Sequence, residues 1–330
     1  MHHLSLATLA LAFSLSAQAA PEKMQAVEVG QGGSLSVQWR PVPRPSAGEV
    51  LIRVRAAGVN PADWKSALRR LGMVPGTDVS GTIDTLGEGV VGWKVGDAVL
   101  GFARQSGSYA EYAVISVTNL ARKPKSMTFE EAAGVPIAAE TAYRSLHEAG
   151  KISAGQTVLI HGAAGGVGSS AVQIAKAAGA RVVGTASPDN HDFLRSLGVD
   201  QVIDYRGQRF EDVVKNVDLV LNTTDARTAA RSIGIVRPGG TLVSIAGQFD
   251  RAACAAAKIR CARPTRESGA PNSEMLAHVV DLADAGKFKV YVTATYSMAD
   301  AAKAWDKSRE GHTRGKLIVV VSEGPTMKHQ

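Results

Sequence analysis

The residues whose spacing most clearly serves chemistry run Val158-Leu-Ile-His-Gly-Ala-Ala-Gly-Gly-Val-Gly168. An apolar strand leads into glycines and a helix begins near Ser169, which is the context in which a chain holds a dinucleotide pyrophosphate. Gly165 and Gly166, with Ala164 and Val167 beside them, let the backbone approach the anion, and Gly168 lets the helix pack on the strand. The free N–H groups of the helix's first turn then face the phosphates. Ala163 stands where the strict pattern has its first glycine, so a bare structural turn is the competing reading. The next strand bears on the choice of cofactor. NAD enzymes place Asp or Glu at its end to hold the ribose hydroxyls, and Gly184-Thr-Ala-Ser187 has neither. The expected cofactor is NADPH, with Ser187 donating to the 2′-phosphate and His191 or Arg206 supplying positive charge, although Asp189 lies just beyond the strand.

No comparable pattern identifies a general acid. Asp63, Lys65, Tyr109 and Tyr112 are chemically capable, but no two are spaced as a donor pair, and each also reads as a structural or surface residue. Cys254 and Cys261 lack the partners of a zinc site or a disulfide framework. They read as two small side chains, with a single bridge left open if the chain is exported. A net charge of +7 is spread among acidic residues rather than gathered in a run, which argues against nucleic acid as a partner and for an anionic small molecule.

These residues need rigid elements to hold them. With 45% hydrophobic and 20% charged residues over 330 positions, the chain has the balance of a two-domain globular protein. Residues 26–120 show short β-type runs at 50–56, 79–86, 98–102 and 110–116, broken by Gly and Pro. At Thr128 the capping-box spacing Thr128-Phe-Glu-Glu131 opens an alanine-rich helical stretch reaching His147. Strands at 157–161, 181–185, 201–204, 219–221 and 241–245 then alternate with helices, so a parallel sheet is expected. After a helix at 276–285, β-type runs return at 290–295 and 316–321. The expected organisation is α/β: a Rossmann domain over 148–285, doubly wound about its parallel sheet, inserted in a β-rich domain made of 24–147 plus 286–330.

Residues 1–19 stand apart. They carry an apolar run from Leu4 to Leu15, no Lys, Arg, Asp or Glu, and Ala17 and Ala19 as an A-x-A site, the pattern of a signal peptide. The expectation is a periplasmic or secreted protein with no membrane span in its mature chain. Translation from Met24 would instead give a cytoplasmic one.

Six segments in order carry a resemblance that covers nearly everything after Met24. They are Ala56-Ala-Gly-Val-Asn-Pro-Ala-Asp-Trp-Lys65, Pro75-Gly-Thr-Asp-Val-Ser-Gly81, Val95-Gly-Asp97, Gly107-Ser-Tyr-Ala-Glu-Tyr112, the glycine turn ending at Gly168, and Arg314-Gly-Lys316. The chain resembles the zeta-crystallin-like quinone oxidoreductases of the medium-chain dehydrogenase/reductase superfamily. That resemblance implies a GroES-like catalytic domain around the Rossmann unit, a homodimer, and hydride transfer from NADPH to a quinone or an α,β-unsaturated carbonyl compound. Zinc relatives carry a Cys where this chain has Asn60 and Gly-His-Glu where it has Gly76-Thr77-Asp78, so zinc-independent chemistry on an already electron-poor, electrophilic substrate is implied. The resemblance also places Asn60 and Thr141 beside the nicotinamide, Tyr205 at the adenosine end, and Ala246, Gly247, Lys316 and Leu317 along the cofactor. Asp63 joins Asn60 and Thr141 as a catalytic candidate. Only nine residues separate Lys65 from Pro75, fewer than in most relatives, which implies an open site and broad substrate preference. An enoyl-thioester or alkenal reductase, or an NADPH-binding protein without turnover, are the alternatives.

Overall fold

The computed structural model describes residues 21–105, 107–264 and 271–322. The signal-peptide reading of 1–19 lies outside them. The chain opens on a hairpin, β1 (Lys23–Val29) and β2 (Leu35–Pro41), followed by the long β3 (Glu49–Val59) and the short helix α1 (Pro61–Lys65). Then come β4 (Asp78–Leu86), β5 (Ala98–Phe102), β6 (Tyr112–Ser116), β7 (Leu120–Arg122) and helices α2 (Phe129–Ala133) and α3 (Pro136–Tyr143). A parallel unit follows: β8 (Thr157–His161), α4 (Gly166–Ala177), β9 (Arg181–Ala186), α5 (His191–Ser196), β10 (Gln201–Asp204), α6 (Phe210–Val213) and β11 (Val217–Asn222). It continues through α7 (Ala226–Ser232), β12 (Val236–Ser244), α8 (Arg251–Ala256), β13 (Arg260–Ala262) and α9 (Asn272–Asp284). The chain ends on β14 (Val292–Ser297), α10 (Ala301–Arg309) and β15 (Lys316–Val320).

The parallel strands are ordered β10-β9-β8-β11-β12-β13. The order reverses between β8 and β11, so a crevice opens beyond their carboxyl ends, which is where such sheets bind ligands. Val158, Leu159 and Ile160 are fully buried, as a strand covered by helices on both faces must be. In the other large sheet, ordered β14-β15-β3-β4-β5-β7 with β6 also on β3, β15 pairs antiparallel with β3 and registers Leu317 against Val59. The last strands thereby return to a sheet begun some 250 residues earlier. The doubly wound parallel sheet with a β-rich companion is the fold class that the sequence implies.

Three local differences have physical causes. The alanine-rich stretch is two helices, because Pro136, which cannot donate a hydrogen bond, starts α3 afresh after Gly134. The capping box at Thr128 and Glu131 does form, by reciprocal bonds of 3.2 and 2.8 Å. The strand expected from 110 begins at Tyr112, since Ala110 bridges to Ala26 instead. Finally, Cys254 and Cys261 are not isolated small side chains but a disulfide joining α8 to the edge strand β13. An α8–β13 unit brings their Cα atoms to 6.1 Å, within reach of a bridge. Among the described residues no helix is long and apolar enough to cross a membrane.

Candidate active site

Beyond His161 the chain turns tightly, with Gly165 N–H donating to Gly162 O at 3.1 Å, and Gly165 caps α4 in an extended conformation without a side-chain cap. The first amides of α4 therefore point out of the helix with no intrahelical acceptor. Two of the glycines sit where a side chain would meet a neighbour, and the third faces open space. A Cβ on Gly168 would lie 2.2 Å from Gly162 O, so only glycine lets the helix close on the turn. A Cβ on Gly166 would lie 2.9 Å from Lys316 Cδ, whereas one on Gly165 would meet nothing nearer than 3.5 Å. The turn thus offers a bare, open cradle at a helix N-terminus, and it fits the pyrophosphate of a dinucleotide. Ala164 is buried and gives its carbonyl to Gly315 N–H at 2.8 Å, while Gly165 bridges to Gly315, so the segment leading into β15 leans on the cradle.

From this contact Lys316 enters a buried polar cluster. Its Nζ donates to Asn60 Oδ1 at 2.6 Å and to Val59 O at 3.2 Å, and lies 3.3 Å from Asp78 Oδ2. The amide of Asn60 in turn donates to Asp78 Oδ2 at 2.9 Å, and Asp78 Oδ1 accepts from Ile137 N–H at 2.9 Å. Asp63 Oδ2 accepts from Asn60 N–H at 2.8 Å and from the Tyr109 hydroxyl at 3.2 Å. Local sequence explains part of this: Pro61 starts α1, and Asp63 stands at the third helical position, where a carboxylate reaches back to the cap. Register explains the rest, for Gly58 pairs with Asp78 and Val59 with Leu317. Gly58 is required there, because a Cβ would lie 2.9 Å from the Asp78 carboxylate and 2.4 Å from Ala133 O.

Asn60, Asp63, Asp78 and Lys316 are each at most 5% exposed. Burial is the main force on the carboxyls. It pushes Asp63 up to about 7, opposed by the Asn60 N–H and the Lys316 ammonium and reinforced by Asp78. Burial also raises Asp78, against the pull of Lys316 and Asn60. Tyr109 is held well above its ordinary range, first by burial and then by the neighbouring Asp63.

Thr141 lies on α3, one turn beyond the Ile137 amide that anchors this helix to the cluster. It is half-buried and lines a cavity of about 400 Å³ with Arg104, Glu140, Arg144 and Pro264. Charge there is balanced: Glu140 bonds both Arg104 at 2.7 Å and the buried Arg144 at 3.2 Å, and Arg144 also meets Glu148 and Asn272.

Comparison with known proteins agrees with this geometry. Residues 46–125 match the family model described as an alcohol dehydrogenase GroES-like domain, and 197–319 the one described as a zinc-binding dehydrogenase. The chain is 33% identical over 297 residues to 2-methylene-furan-3-one reductase of Solanum lycopersicum, covering 84% of this chain and 73% of that one. It is 31% identical to quinone-oxidoreductase QR1 of Triphysaria versicolor, over 84% of this chain and 92% of the relative. The solved quinone oxidoreductase of Coxiella burnetii superposes with a TM-score of 0.82 at 30% identity, over 91% of this chain and all of that one. The chain belongs to the medium-chain dehydrogenase/reductase superfamily, in its quinone oxidoreductase branch.

As an oxidoreductase of this family it binds NAD(P)H, and the residues that the sequence suggested for that cofactor have the following surroundings. Ser187 Oγ accepts from Asn190 Nδ2 at 3.0 Å in the turn after β9, and His191 opens α5 with its Nε2 buried and unpartnered. Tyr205 is exposed just after β10, with the Arg206 guanidinium 5.8 Å over its ring. Ala246 O accepts from Ser244 Oγ at 2.6 Å, and Gly247 O accepts from Arg263. Leu317 is buried among Val59, Tyr109 and Trp305 and packs as core. Of the four possible proton donors, Asp63 and Tyr109 share the cluster. Lys65 is exposed over Trp64, and Tyr112 is buried on β6 under Arg53. Sequence reasoning missed the pairing of Lys316 with Asp78, the arginines beside Thr141, and Arg314, whose guanidinium reaches Asn190. The residues do not fit a zinc ion either: Asn60 and Asp78 are engaged by an ammonium, and among the described residues no three His, Cys, Asp or Glu side chains converge.

Proposed function

We propose that this oxidoreductase reduces quinones or α,β-unsaturated carbonyl compounds with NADPH and without zinc. The observation that carries the reading is the Lys316 ammonium bound between Asn60 and Asp78, at positions where zinc relatives keep metal ligands. With no metal to polarise a simple ketone, the acceptor must itself be electron-poor. The names of two relatives point the same way, one a quinone oxidoreductase and the other a reductase of 2-methylene-furan-3-one, itself an enone.

NADPH supplies the hydride. The amides at 165–167 would hold its pyrophosphate, and the absence of a carboxylate in Gly184-Thr-Ala-Ser187 leaves the adenosine end open to a 2′-phosphate. Lys316 and Asp78 hold both ends of the Asn60 amide and so fix its orientation beside the cradle. Thr141 presents the wall of the substrate cavity, and solvent supplies the proton that completes reduction. The disulfide and the amino-terminal apolar run both favour an oxidising compartment outside the cytoplasm. A homodimer is the proposed assembly.

The test is NADPH oxidation by protein lacking residues 1–19, with 1,4-benzoquinone, phenanthrenequinone and a simple enone in parallel and EDTA present throughout. Turnover that survives EDTA is the expected result. Activity that is lost on chelation and restored by zinc would overturn the reading.

A further inference from the structure

Arg314 precedes β15, and its neighbour Gly315 is fastened to the phosphate cradle by the bond to Ala164 O and the bridge to Gly165. From there its side chain crosses to the turn after β9. Its Nε donates to Asn190 Oδ1 at 2.7 Å and its Nη2 to the backbone carbonyl of Asp189 at 2.6 Å. The guanidinium lies 5.5 Å from the ring centre of Phe193 and 5.8 Å from that of Tyr291, against two aromatic side chains that pack on each other with their centres 5.3 Å apart. Among the described residues no carboxylate pairs with it, since Asp189 offers its carbonyl and not its side chain.

A charged, planar fork is thus held in place at the loop that follows the second strand of the parallel sheet. In a sheet of this strand order, that loop carries the group that reads the ribose 2′ position. The remaining Nη hydrogens have no acceptor among the described residues and match two oxygens of a phosphate. The same turn contains the unpartnered His191 Nε2, a second polar atom left without an acceptor or donor by the protein. Arg206, the alternative cation, sits one strand further out, over the exposed Tyr205.

We propose that Arg314 binds the 2′-phosphate of NADPH and selects that cofactor over NADH, an inference that rests on the NADPH reading above. The test uses calorimetric binding of two probes, adenosine 2′,5′-bisphosphate and 5′-AMP, so that no turnover is needed. Wild-type protein is titrated first. Tighter binding of the bisphosphate is expected, and equal binding would overturn the NADPH reading and this inference together. In Arg314→Gln the bisphosphate should weaken by roughly 10- to 100-fold while 5′-AMP changes by less than about twofold, the unchanged 5′-AMP affinity also showing a folded site. Arg314→Lys, which keeps the charge but not the fork, should fall between. If Arg314→Gln still discriminates as wild type does, or loses both probes equally, Arg314 is not the selecting residue although the NADPH preference stands.

Discussion

Lys316 concentrates the consequences of single residues. Its ammonium is the counter-charge to the fully buried Asp78, so replacing it with methionine leaves an unpaired carboxyl in the interior at a cost of about 3–5 kcal/mol. We expect Lys316→Met to lower the unfolding free energy obtained from urea denaturation by that margin, with a lower midpoint, and Lys316→Arg to recover most of it. Equal stability of the methionine variant would show that Asp78 does not depend on the pair. Asp63 gives a pH signature. Its carboxyl, ordinarily at 3.8, is pushed up to about 7 in the folded chain, chiefly by burial. Between these values the folded state holds a proton that the unfolded state has released. Stability from this residue is therefore greatest below the lower value, falls as pH rises through the window, and levels off above the higher one. Denaturation at about pH 4, 5.5 and 8 should show this slope in wild type and a flatter profile in Asp63→Asn. Parallel profiles would remove Asp63 as its source.

At the scale of elements, legibility depends on distance along the chain. The glycine turn, the strand before it and the helix after it lie within 21 residues, and the box at Thr128 within four, so composition and spacing reveal them. The Asn60–Asp78–Lys316 cluster joins positions up to 256 residues apart through the register of β3, β4 and β15, which no local pattern encodes. Arg314 and Asn190, 124 positions apart, meet for the same reason. The disulfide is close in sequence, with a separation of 7, yet two cysteines at that spacing are bridged only if α8 reverses into β13 as it does here. That bridge closes a small loop, so it should contribute about 2 kcal/mol by restricting the unfolded chain. Chemical denaturation with and without a reductant checks this. The expected result is a lower midpoint on reduction, matched by a Cys254→Ser, Cys261→Ser double variant, and coincident curves would leave the bridge without a stabilising role.

At the scale of the whole molecule, the cleft is made by both sheets at once. Gly165 belongs to the parallel unit and bridges to Gly315, which leads into β15, while Lys316 ties the same contact to Asn60 and Asp78 on the β-rich side. A dinucleotide lying on the cradle would therefore touch groups whose positions depend on both units, and its binding energy should stabilise them together. Ligand at a hundredfold excess over its Kd adds about 2.7 kcal/mol to a folded state that alone binds it. Thermal unfolding followed by calorimetry should then show one transition, moved upward by NADPH and much less by NADH at equal concentration. Two transitions, only one of which moves, would mean that the cradle and the β-rich sheet unfold separately. In that case the Gly165–Gly315 and Lys316–Asn60 contacts would be too weak to couple cofactor binding to the substrate side of the cleft.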